Sequence, residues 1–298
     1  MSLSGFLNLL KPPGITSHDA VAFVRRLANE KAGHAGTLDP AASGVLVICV
    51  GKAVRLASFV ADAEKEYQAG ITFGVATDSL DAQGKVTATA DATGLTREAL
   101  RAVLPEFVGE IRQRPPSFSA VKVRGRRAYE MARRGEQVEL KERAVSVSEL
   151  RLVSMEAGNP AVAVVHVRCG KGFYVRSLAR DLGERLGLPA HLSSLVRTRV
   201  GDFRIEESVS LPEAEGAAQK GRLAEIMLPL DAPLSHLPRV VLEGRQAELL
   251  RHGASVAWAG PVTDSPVRVY DEQGRLVALA KTGEDGRLSP SIVLAGES

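Results

Sequence analysis

The stretch "GHAGTLDPAASGVLVICVGKAVR", residues Gly33 to Arg55, places one carboxylate, Asp39, in a loop of small residues directly ahead of a continuous apolar run. The run "VLVICV", residues 45–50, is short and rich in β-branched side chains, the pattern of a strand covered on both faces. A phosphate-binding loop is excluded, although the run ends in Gly51-Lys52. Six residues separate Gly44 from Gly51 where that loop needs four, and Ala53 stands where a hydroxyl should hold a metal. Two readings of the loop remain. Asp39-Pro40 can be a plain turn in which the aspartate accepts from its own backbone two residues on. Alternatively Asp39 is a nucleophile on a preorganised loop, which requires a nearby cation to orient the carboxylate and keep it ionised. Arg176, following "CGKGFY", is the candidate cation.

Working outward, "TSHDAVAFVRRLANE" sets Val21, Val24, Leu27 and Ala28 on one helical face behind Thr16 or Ser17 as N-cap. "KEYQAGITFG" alternates, with Tyr67, Ala69, Ile71 and Phe73 on one face, which predicts a strand. "TDSLDAQG" carries turn chemistry, and "LTREALRAVLPEFVGEI" suits a helix capped by Thr96 and ending near Pro105. "AVAVVHVRC" is another strand, and "YVRSLARDLGERLG" places Val175, Leu178, Ala179, Leu182 and Leu186 at helical spacing up to a terminal glycine. Strands and helices alternate irregularly, which predicts an α+β domain with a mixed, largely antiparallel sheet. Composition shifts near residue 235. Residues 1–235 form the main domain, and 236–298, with short β-type runs between Gly and Pro, a small β-rich module.

The chain has 298 residues, more than the ~100–200 usual for one domain. Its first twenty residues lack a basic segment ahead of a long apolar stretch, and no window approaches the ~20 apolar residues of a membrane span. No secretion signal or membrane association is expected, and the cytoplasm is the expected location. Cys49 and Cys169 lie in apolar runs without ligand spacing, so both are expected to be buried free thiols. The six histidines contain no H-x-x-x-H pair, and no metal site is expected.

Net charge is only +3, but it is unevenly spread. Residues 112–134, "RQRPPSFSAVKVRGRRAYEMARR", carry seven arginines and Lys122 against Glu130 alone, a net +7 that leaves −4 on the remainder. A basic segment interleaved with Phe118 and Tyr129 is the footprint of a phosphate-binding surface, and its alternative is a solvated basic helix.

These segments together resemble a known family. "GHAGTLDPAASGVL" is similar to the catalytic motif of pseudouridine synthases of the TruB type. "NLLKPPGITSHDAV", "KEYQAGITFGVATDSLDAQGKV", "RQRPPSFSAVKVRGRRAYEMARRGE", "CGKGFYVRSLARDLG" and "AHLSSLVRTRVGDF" resemble its other motifs, in order, across residues 8–203. The resemblance implies isomerisation of uridine 55 in the T-loop of tRNA, with no cofactor, because reactant and product have the same composition. It implies Asp39 as nucleophile, Arg176 as its partner and Tyr67 as the in-site aromatic. His34, Tyr174 and Leu195 match positions that contact the flipped nucleotide or the space it vacates. It makes Arg124, Arg126, Arg127, Arg133 and Arg134, in a gripping segment of about 112–140, the candidates for holding the T-arm backbone. The C-terminal part resembles a PUA domain, a small β-barrel that binds RNA. A monomer without an obligatory protein partner is expected. The alternatives are an RNA-binding or tRNA-folding protein, and the guide-RNA-dependent synthases that act within protein complexes.

Overall fold

The structure is a computed structural model that describes residues 3–294 apart from 120, 124, 135 and 137–139, with backbone only at 122, 123, 127, 130, 132 and 133. Its strands in chain order are β1 (Gly5–Lys11), β2 (Ala32–His34), β3 (Ser43–Val50), β4 (Lys65–Phe73), β5 (Val75–Thr77), β6 (Val86–Thr89), β7 (Gly109–Gln113), β8 (Lys122–Val123), β9 (Arg126–Arg127), β10 (Arg143–Glu156), β11 (Ala161–Cys169), β12 (Ala190–Val200) and β13 (Phe203–Arg204). Five more follow: β14 (Arg239–Val241), β15 (Val256–Ala257), β16 (Val267–Tyr270), β17 (Leu276–Thr282) and β18 (Arg287–Val293). The helices are α1 (Ser17–Ala28), α2 (Ala57–Asp62), α3 (Arg97–Val103), α4 (Ala128–Arg133), α5 (Val175–Leu186), α6 (Leu211–Gln219) and α7 (Gly244–Arg251).

The large sheet runs β1-β3-β12-β4-β11-β10-β7, with β2 added to β3 and β13 to β12. Along that path only β3 and β12 pair in parallel, through Val196↔Ser43 and Arg197↔Gly44. The predicted α+β class and the mixed, largely antiparallel sheet are what the chain forms. β3 is covered on both sides: Leu46, Ile48 and Val50 pack with Ala20, Val21 and Val24 of α1. Val45, Val47 and Cys49 face the opposite cluster, with Phe6, Leu56 and Phe203. On β4, Ala69, Ile71 and Phe73 are buried against α3 and α5. Thr16 rather than Ser17 caps α1, closing a capping box with Asp19, and Gly187 ends α5 in the left-handed conformation. The helix capped by Thr96 stops at Val103 and tightens into a 3₁₀ turn through Leu104–Phe107, since Pro105 cannot donate to an α-helical ladder.

The second sheet has the order β14-β16-β17-β18-β15 and packs on α7. Its other side does not face water. Leu279 and Leu294 join the cluster of Phe6, Leu56, Leu234 and Leu237 beneath β3, and Arg55 donates to the Val293 carbonyl at 2.6 Å. Tyr270 donates its hydroxyl to Asp231 at 2.7 Å, between the faces of Arg239 and Arg268. A hydrophobic core therefore runs without a break from the large sheet into the small one. Among the described residues, no helix is long and apolar enough to cross a membrane.

Candidate active site

The loop between β2 and β3 carries Asp39 and is braced from three directions. From α1, Ser17 Oγ accepts the Leu38 N–H and donates to the Leu38 carbonyl, both at 2.9 Å. From the end of β1, the fully buried Lys11 donates to the carbonyls of Pro12 at 2.9 Å, Pro40 at 3.3 Å and Ala42 at 2.7 Å. Burial pushes the Lys11 ammonium below its usual range, opposed by the charge of Asp39. From β12, Arg197 donates Nε to the Val45 carbonyl at 2.7 Å and Nη2 to Gly36 at 3.0 Å. Gly44 leaves the loop with φ +106°, and a Cβ there would stand 2.2 Å from the Arg197 carbonyl oxygen, so only glycine fits.

The loop is a turn, but not one made by the aspartate side chain. The Ala42 N–H reaches the Asp39 carbonyl at 3.0 Å, which leaves the carboxylate unused by its own backbone. That carboxylate meets Arg176, with Nε to Oδ2 at 3.0 Å and Nη2 to Oδ1 at 3.4 Å. The pair is asymmetric: Asp39 keeps 42% of its side chain exposed, Arg176 only 8%. Arg176 also donates to the carbonyls of Ser79 at 3.2 Å and Phe118 at 2.9 Å, and Asp81 stands 3.7 Å from it. Its position follows from the sequence around it. Tyr174 is the N-cap of α5, its N–H is held by Gln113 Oε1 at 2.8 Å, and two residues on Arg176 points across to the loop. Arg180 takes up Asp181 and Glu184, which keeps both carboxylates of that helix away from Arg176.

Tyr67, on β4, packs where the α5 core meets the α1 core, and Leu195 of β12 does the same beside it. Burial pushes the Tyr67 phenol above its usual range, and the positive charge of Arg197 opposes that shift. His34, on β2, is held below its usual range by burial first and then by Arg197 and His18, so it is neutral at pH 7, and its Nδ1 is buried without a partner. Tyr174 packs on the small cluster of Val121, Ala128 and Leu140 under the basic segment. That segment begins at the site, because Phe118 supplies a carbonyl to Arg176 and Arg114 supplies one to Ser177 and Arg180. Arg126 is exposed and bound to Glu136 at 2.8 and 3.2 Å, and Arg134 is exposed. Arg124 lies outside the described residues, and at Arg127 and Arg133 only the backbone is described.

Sequence reasoning missed Ser17, Lys11, Asp81 and Arg197. Lys11 had a signal, since it interrupts an otherwise apolar opening run, and so did Arg197, a cation directly after the apolar pair Leu195-Val196 in "SLVRTRV".

Known proteins resemble this chain over most of its length. Family models match along the chain: "TruB family pseudouridylate synthase (N terminal domain)" over residues 25–175, "tRNA pseudouridylate synthase B C-terminal domain" over 176–235 and "Pseudouridine synthase II TruB, C-terminal" over 238–294. The tRNA pseudouridine synthase B of Symbiobacterium thermophilum is 52% identical over 256 residues, 86% of this chain and 84% of that one. That of Pelotomaculum thermopropionicum is 45% identical over 290 residues, 96% and 90% of the two chains. Among solved structures, a chain of an H/ACA RNP bound to a substrate RNA containing 2'-deoxyuridine matches with TM-score 0.74 and 28% identity, covering 98% of this chain and 85% of that one. A chain of a Cbf5-Nop10-Gar1 complex matches with TM-score 0.73 and 29% identity over the same shares.

Proposed function

The chain belongs to the TruB family of pseudouridylate synthases, and on that premise we propose that it converts uridine 55 in the T-loop of tRNA to pseudouridine, with Asp39 as the nucleophile. The observation that carries this reading is the Asp39–Arg176 pair, a half-exposed carboxylate chelated by a buried arginine. A nucleophilic carboxylate must be aimed beside a cation yet open on one side to substrate, and the geometry of this pair supports both.

The reaction balances without a cofactor. The bond from C1′ of the ribose to N1 of uracil breaks, a bond from C1′ to C5 forms, C5 gives up its proton, and N1 gains one. Uracil must leave the loop stack, at a cost of a few kcal/mol. Stacking on Tyr67 returns ~1–3 kcal/mol, and Tyr174 and Leu195 complete the walls. The neutral His34 fills the stack that the base vacates without adding a charge near Arg197. On this reading the Tyr67 hydroxyl assists the proton's departure from C5.

The arginines of about 112–140, among them Arg124, Arg126, Arg127, Arg133 and Arg134, hold the T-arm backbone and fix its register without reading many bases. Residues 1–235 act as the catalytic domain and 236–298 as a PUA-like RNA-binding domain. The enzyme works in the cytoplasm as a monomer without an obligatory protein partner. Identities of 45–52% to proteins named tRNA pseudouridine synthase B, against 28–29% to chains of RNP complexes, support the stand-alone form over the guide-dependent one. Carbodiimide mapping of unmodified tRNA after incubation with the purified chain alone tests the position and the independence together. A single new stop at uridine 55 is expected. Modification only after adding other proteins or a guide RNA, or at another site, would overturn the reading.

A further inference from the structure

Arg197 is one of the largest fully buried side chains of the protein, 1% exposed, and among the described residues it forms no ion pair. A buried cation held only by neutral acceptors is costly unless each donor is used well. Here the register of β12 puts Arg197 opposite Gly44 on one neighbour and opposite Tyr67 on the other. Its guanidinium then spans the Asp39 loop. Nη2 and Nη1 reach the carbonyls of Gly36 at 3.0 Å and Thr37 at 3.4 Å, ahead of Asp39, and Nε reaches Val45 at 2.7 Å, behind it. Its own main chain is registered against Tyr67 in the β12–β4 pairing.

We propose that Arg197 is a positioning residue that fixes Asp39 relative to Tyr67 by tying both ends of the Asp39 loop to the β12 position that pairs with Tyr67. The proposal rests on the roles given to Asp39 and Tyr67 above. A planar fork with donors in fixed directions can hold carbonyls ahead of and behind the loop at once, whereas an ammonium at the end of a flexible stem cannot. Errors of about 1 Å between reacting groups are enough to slow chemistry about 10²-fold. Arg197 touches neither reacting atom, so its effect belongs in the chemical step and not in RNA affinity.

Arg197→Lys keeps the charge and removes the fork. Single-turnover release of tritium from C5 of a T-arm stem-loop is expected to slow at least about tenfold, with the Kd for that RNA within about threefold of wild type. A folded variant that reacts within about threefold of wild type, or loses activity wholly through Kd, would overturn the proposal. The Arg197 ¹⁵Nε–¹H resonance of otherwise intact protein provides a second readout, independent of turnover and of how Arg197→Lys folds. A coupling across its hydrogen bond to the Val45 carbonyl carbon is expected, and a folded protein lacking that coupling, with the Nε–H exchanging freely with water, would also overturn the proposal. Should wild type release no tritium, the catalytic reading fails, while the resonance still decides whether the tie exists.

Discussion

Replacing Arg176 with lysine should cost the enzyme most of its rate while leaving it folded and able to bind RNA. The guanidinium makes four directed contacts: two to Asp39 at 3.0 and 3.4 Å, one to Ser79 O at 3.2 Å and one to Phe118 O at 2.9 Å. An ammonium carries the same charge but cannot reach acceptors from three separate segments. If it keeps one contact to Asp39 and one carbonyl, two charge-assisted bonds are lost, each worth about 1.5–3 kcal/mol. Asp39 is 42% exposed, so water replaces part of its loss, and the lower end of that range applies. About 3 kcal/mol of misaligned transition state corresponds to a rate about 10²-fold lower. Single-turnover tritium release with enzyme in excess measures that step, filter binding measures Kd, and thermal unfolding reports the fold. A folded Arg176→Lys enzyme within about threefold of the wild-type rate would refute the view that the fork aims Asp39.

Lys11→Met removes a buried charge and its three carbonyl contacts, so the net destabilisation should be small, about 1–2 kcal/mol. Because the Lys11 ammonium is held below its unfolded value, the unfolded chain binds more protons as pH rises from the folded pKa to 10.5. Lys11 therefore makes stability rise with pH in that window, and urea titrations should show wild type gaining on Lys11→Met; a gap that shrinks would contradict this. Leu279→Ala opens a cavity in the core shared by both sheets and should cost about 2–5 kcal/mol in one cooperative calorimetric transition. A C-terminal unit melting separately, with the large sheet unmoved, would contradict a shared core. Burial pushes the thiols of Cys49 and Cys169 up to about 12, so native protein should not react with a disulfide reagent at pH 8, and both thiols should react after denaturation.

Much of this fold was legible because the decisive segments bury one face or two. β3 is apolar at every position from Val45 to Val50, and it has a core on each side. β4 alternates because Ala69, Ile71 and Phe73 meet α3 and α5, while the opposite face, also buried, carries the small or polar Gly70 and Thr72. β10 and β12 were harder to read. β10 slips register between Val147 and Glu149 and again between Leu152 and Ser154, so its alternation changes phase twice. β12 runs through the middle of the sheet carrying Ser193, Ser194, Arg197 and Arg199, polar residues that ordinarily argue against a central strand. Its arginine is tolerated because loop carbonyls line its path, a condition set by segments over 150 residues away.

The site divides the same way. Asp39, Tyr67 and Arg176 were visible because their residue types suit the chemistry and family motifs mark them. Which arginine meets the carboxylate was a matter of tertiary geometry: Arg176 faces it, while Arg197 lies behind the loop on carbonyls. Residues 236–298 could be marked as β-rich from their turns, but a pattern of buried leucines does not say what they are buried against. Leu279 and Leu294 close over the catalytic half of the chain.

Single-turnover release of tritium from C5 of uridine in an unmodified T-arm stem-loop, by wild type and by Asp39→Asn, tests the central claim most directly. Wild type should release the label in full. The amide, matched in size but unable to serve as the nucleophile, should be slower by at least about 10³-fold at a Kd unchanged within about threefold. Release by Asp39→Asn at close to the wild-type rate, or tight binding by wild type without release, would contradict the account.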